Sequence, residues 1–92
     1  MHTSLRIKKV YMDQIREGTK KVEYRKDSPF YHQLFSKKIT SLTLHYQRSE
    51  RLTVEVKHIR LIRRPVQFHN DEMLPTKRVF AISLGRILKY SR

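Results

Sequence analysis

A chain of 92 residues has room for one small domain built on a single core, spanning residues 1–92. The apolar fraction of 38% is low for a globular domain, yet with two glycines, three prolines and no low-complexity run the chain does not read as a disordered tail. Lys and Arg number 21 against 8 Asp and Glu, a net charge of +13, and cysteine is absent, which excludes disulfide scaffolds, thiolate nucleophiles and cysteine-based zinc or iron–sulfur sites.

No apolar run approaches the length of a membrane span, so a cytoplasmic, non-membrane protein is expected. The two glycines, Gly18 and Gly85, cannot supply a glycine-rich phosphate loop. A charge this large points to a polyanion, with RNA first and DNA second. A membrane-surface protein would gather its cations on one amphipathic helix. Here they recur as pairs: Lys8-Lys9, Lys20-Lys21, Lys37-Lys38, Arg63-Arg64 and Lys77-Arg78. A fold must bring these together before they form a surface.

Residues 4–9 alternate Leu5 and Ile7 with Arg6 and Lys8, a short strand. Tyr11, Met12 and Ile15 then form one apolar stripe over two helical turns, and Gly18 suits a left-handed C-terminal cap. Residues 20–25 put Val22 and Tyr24 on one strand face and Lys21, Glu23 and Arg25 on the other. Ser28 can cap a short helix over 28–35 with Pro29 in its first turn. Two strands follow, with Leu42, Leu44 and Tyr46 inward in the first and Leu52, Val54 and Val56 inward in the second, joined by a loop at 48–51. Residues 63–78, with two prolines and a basic pair, read as a long, partly irregular connection, in which the acidic island His69-Asn70-Asp71-Glu72 serves as a turn cap. Phe80, Ile82 and Leu84 face inward in a strand closed by Gly85, and residues 86–92 form either a last strand or a helical turn. The expected fold is α+β: five to six mostly antiparallel strands in a small barrel, with two short helices.

The run I-x-x-G-x-K-x-x-E-x-R, here Ile15, Gly18, Lys20, Glu23 and Arg25, resembles the signature of the ASCH family, relatives of PUA domains. The ending VFAISLGRIL resembles the closing strand of short ASCH proteins, which are common in bacteria and phages. The resemblance implies a PUA-like β-barrel with a cleft beside the signature, and a role in RNA binding. One enzymatic branch deacetylates N4-acetylcytidine with a lysine and a threonine three residues apart, plus a glutamate further along. Lys20 matches that lysine, but Glu23 stands where the threonine would be, and Glu55 is the candidate for the further acid. Other members are described as single-strand ribonucleases.

Taken without the family, Glu23 can hold Lys20 or Arg25 in place, or form an ordinary surface ion pair. Arg25 is the better recogniser, since its planar fork pairs two acceptors or stacks on a base. Among the aromatic residues, Tyr11, Tyr24, Phe35 and Phe80 are expected in the core, and Tyr31 and Tyr46 at the cleft. The nucleic-acid contacts are therefore expected at Lys20, Lys21, Arg25, Lys26, Tyr31, Tyr46, Arg63 and Arg64. Lys20 and Glu23 would be catalytic if the chain were a hydrolase, with His32 or His45 as a base in a ribonuclease reaction. No histidine spacing suggests zinc, and no cofactor is expected. An acidic surface on a protein partner, as for a phage-encoded regulator, is the third reading of the charge.

Overall fold

A computed structural model describes the backbone of residues 2–67 and 73–92, and the side chains outside 64–77. Its elements are β1 (His2–Arg6), α1 (Lys9–Glu17), β2 (Val22–Lys26), α2 (Pro29–Phe35), β3 (Ser41–Tyr46), β4 (Glu50–Gln67) and β5 (Met73–Ser91). They form one sheet in the order β1-β3-β4-β5-β2, parallel between β1 and β3 and antiparallel elsewhere. The expected α+β fold is present, its sheet curled into a half-barrel with two helices. No described helix is long and apolar enough to cross a membrane.

Both helices stop and start where the sequence says they should. Gly18 sits at φ +85°, and its amide donates to the carbonyls at the end of α1, a conformation that carries no steric penalty for glycine. Ser28 Oγ accepts from the Tyr31 amide, and Pro29 occupies the first turn of α2. Met12 and Ile15 of α1 pack against Leu5, Leu42, Leu44, Leu52, Val54, Ile82 and Leu84, all buried.

Of the connection expected over 63–78, residues 63–67 and 73–78 are strand, and residues 68–72 lie outside the described residues. The β4–β5 ladder runs on through Arg63↔Arg78 and Arg64↔Lys77, shifts register between Arg64 and Val66 where Pro65 and Pro75 fall, and resumes at Val66↔Leu74 and Gln67↔Met73, because a bulge absorbs prolines that a regular ladder would not. His69, Asn70, Asp71 and Glu72, read as a turn cap, lie outside the described residues. Gly85 does not close β5 either, since the strand continues to Ser91. A Cβ on Gly85 would lie 2.5 Å from Glu55 Oε1 and 2.9 Å from Glu55 Cβ. Glycine is thus the residue that lets the Glu55 side chain cross β5, where its carboxylate accepts from the Arg86 amide at 3.2 Å.

The register decides which residues face the core. Val56 pairs with Leu84 but His58 pairs with Ser83, so one extra residue, Lys57, bulges from β4. Leu52, Val54 and Val56 face inward before the bulge, and Ile59 does so after it. His58 and Arg60 consequently stand on the outer, convex face.

Candidate nucleic-acid interface

The signature residues converge at the free edge of β2. Gly18 ends α1, and the amides of Thr19 and Lys20 both donate to the Gln14 carbonyl, at 3.0 and 3.2 Å. That turn brings Lys20 back beside the strand. Glu23 and Arg25 stand opposite Ile82 and Phe80 on the concave face. The Glu23 carboxylate is 3.4 Å from Lys20 Nζ through one oxygen and 2.7 Å from Arg25 Nη2 through the other. Glu23 is 5% exposed, so this is not the solvated surface pair that its neighbours in sequence allowed. A carboxylate shared by two cations fixes the position of both.

Arg25 is committed further than its sequence context suggests. Its Nη1 donates to Tyr31 Oη at 3.1 Å, and its Nη2 donates to Glu23 and to the Arg6 carbonyl, each at 2.7 Å. Its Nε is buried without a hydrogen-bond partner among the described residues. Tyr31 stacks on Phe35, which meets Phe80 edge-on. The guanidinium therefore joins the edge strands β1 and β2 and seats α2. It braces the half-barrel more than it faces solvent.

Lys20 has different company. Its Nζ lies 4.9 Å from the Tyr11 ring centroid and 5.6 Å from that of Tyr24, within cation–π range. Both rings were expected in the core, yet Tyr11 is 40% and Tyr24 is 38% exposed. The helix stripe turns Met12 and Ile15 inward and leaves Tyr11 at its margin, while Tyr24 points to the convex face of an edge strand. Phe35 and Phe80 do pack inside as expected. Phe30, at the start of α2, is also exposed.

The other expected contacts are scattered. Lys21 and Lys26 are exposed at the two ends of β2. Tyr46 packs against the core at the end of β3, with its hydroxyl accepting from Gln47 Nε2, and no contact brings it to the Lys20 cluster. Arg63 is exposed on β4 opposite Arg78, and Arg64 stands opposite Lys77. His32 is hydrogen-bonded to Asp27, which also takes Arg78 Nη2 at 3.0 Å. The His32 hydrogen bond and the Arg78 charge hold the Asp27 carboxyl below its ordinary value. Glu55 is held low by the Arg86 amide and guanidinium, so the acid proposed for a deacetylase is tied down at a bulge. No group of three or more His, Asp or Glu residues among those described could hold a metal ion.

One cluster escaped the sequence reading. Glu50, assigned there to a loop, begins β4 and is 4% exposed. Lys9 Nζ meets both its oxygens at 2.7 and 2.9 Å, and the Tyr90 hydroxyl donates to it as well. The Arg16 guanidinium lies 3.8 Å over the Tyr90 ring. An adjoining cleft of about 510 Å³ is lined by Asp13, Arg16, Glu17, Leu52, Ile87 and Tyr90. These partners are about 40 residues apart in the chain, so no local pattern announces them. No protein-family model, curated protein or solved structure matches this chain.

Proposed function

We propose that this is an RNA-binding domain of the ASCH/PUA-like kind, taking single-stranded RNA at the β2 edge. The observation that carries the reading is the ammonium of Lys20 set between two half-exposed tyrosine rings on a chain of charge +13. An unpaired strand offers what this edge can use, since bases stack on tyrosine faces and phosphates meet the cation between them. A folded, mostly apolar ligand would want an enclosed pocket. The shared engagement of Lys20 and Arg25 with Glu23 supports the resemblance of the signature by giving its spacing a physical purpose.

Fluorescence anisotropy with single-stranded RNA, duplex RNA and duplex DNA across a salt series tests the reading. Single strands should bind best. Tyr11→Ala and Tyr24→Ala should each weaken that binding by about 1–3 kcal/mol, the range for losing one stacked base. Lys20→Ala should lower the slope of log K against log salt by about 0.7, one phosphate contact on a single strand. Equal binding to all three nucleic acids, unmoved by the tyrosine changes, would reduce the charge to nonspecific attraction. Capture of a protein partner that survives nuclease treatment, with no RNA binding, would replace RNA by an acidic protein surface.

A further inference from the structure

The convex face of the sheet carries a row that neither the signature nor the charge pairs pick out. Tyr24 on β2 stands opposite Ala81 on β5, and Ala81 stands opposite Arg60 on β4. Directly opposed residues share a sheet face, so an exposed tyrosine, a small floor and an exposed arginine lie in line across three strands. In the next row Ser83 lies between Val22 and His58, with Ser83 Oγ and His58 Nε2 2.9 Å apart. Exposed Lys26 lies on the other side of the tyrosine.

We infer that this row is a slot for one unpaired nucleobase, held between the Tyr24 ring and the Arg60 guanidinium above Ala81. The inference rests on the RNA-binding reading and gives it a base-contacting surface. Spacing supports it, because residues two strands apart are separated by roughly 10 Å. A flat ring in contact on both faces needs about 3.5 Å on each side, about 7 Å in all, and two stacked rings would need more than the gap offers. Aromatic and guanidinium planes are the groups on which unstacked bases settle. The Ser83–His58 pair beside the slot offers hydroxyl and imidazole groups to a base edge. Charge argues for the same occupant, since exposed Lys26 adjoins the row on a strongly cationic chain and suits a phosphate beside the base.

The test compares binding of a short single-stranded RNA with that of the same RNA carrying one abasic site, moved along the strand. Wild type, Ala81→Leu and Arg60→Gln are measured, with a single-stranded DNA of the same sequence in parallel. One abasic position should weaken wild-type binding about tenfold to a hundredfold. Ala81→Leu fills the floor and should bind intact and abasic RNA alike. Arg60→Gln, an exposed position whose change leaves the core untouched, should lose most of the same discrimination, which covers the case of an Ala81→Leu chain that fails to fold. Discrimination in both RNA and DNA supports a slot for the base alone, and discrimination in RNA alone supports one that also senses the ribose hydroxyl. Discrimination that persists in both variants overturns the slot while the RNA-binding reading stands, and RNA binding that is indifferent to abasic sites overturns the slot together with the tyrosine stacking, leaving phosphate contacts alone. Absence of RNA binding overturns both, and Ala81-dependent binding of polyglutamate would assign the face to an acidic protein.

Discussion

Arg25 illustrates how a residue chosen for recognition can be occupied with architecture. The chain contains no other feature that joins the β2 edge, the β1 carbonyl of Arg6 and the Tyr31 hydroxyl of α2 through one side chain among the described contacts. Arg25→Ala should therefore lower stability by about 1.5–3 kcal/mol or more, the cost of losing hydrogen bonds to charged groups, as read by urea denaturation. Arg25→Lys should rescue little, because a single ammonium cannot reach all three acceptors in the planar fork's geometry. If Arg25→Ala melted like the wild type, the brace would not exist. Lys20 shares the tie to Glu23 and is 16% exposed against 14% for Arg25, but its other neighbours are aromatic rings at the surface. Its neighbours Tyr11 and Tyr24 are half exposed, so truncating them should change stability little and binding much.

At the scale of elements, bulges and close approaches set the faces. Gly85→Ala should destabilise by about 1–3 kcal/mol, the usual cost of overpacking, because its Cβ meets Glu55 Cβ at 2.9 Å and the backbone must move. A thermal melt reads this directly, and an unchanged Tm would mean that β5 yields freely there. The tie among Lys9, Glu50 and Tyr90 joins α1 to the start of β4 and the end of β5. The Lys9 and Tyr90 hydrogen bonds depress the Glu50 carboxyl below its ordinary 4.5. A depressed acid adds stability that is present above its unfolded value and is lost as pH falls through the folded one. Tm should thus drop as pH falls below about 4.5, and Glu50→Gln should have a lower neutral Tm with a shallower acid limb. The same bonds raise Lys9 above 10.5 and Tyr90 above 10.0, so their contributions hold below pH 10 and fade as pH rises through the raised values. An acid limb identical in Glu50→Gln would assign the acid sensitivity to Asp27 and Glu55, both also held low.

At the scale of the whole molecule, alternation and caps were legible because they are local. Leu42 and Leu44, then Leu52 and Val54, repeat every second residue, and Gly18 and Ser28 mark helix ends by their own conformational and hydrogen-bonding preferences. The break at Lys57-His58, two polar residues where one was due, was a visible mark of the bulge. Residues 63–67 and 73–78 misled because proline and polar residues look the same in a loop as on a ribbon that takes them up at a register shift. Lys20, Glu23 and Arg25 were found because they are near neighbours. Their exposures were not, since these depend on the strand β5 that arrives some 60 residues later. The amino-acid sequence by itself determined the cationic charge, the helix caps and the strand periodicity, all of which follow from local sterics and composition. Tertiary structure alone decided that Glu23 is buried, that Arg25 is a brace, that Glu50 meets Lys9 and Tyr90, and that Tyr24, Ala81 and Arg60 share a row. Strand register and burial are properties of residues far apart in the chain, and no local pattern encodes them.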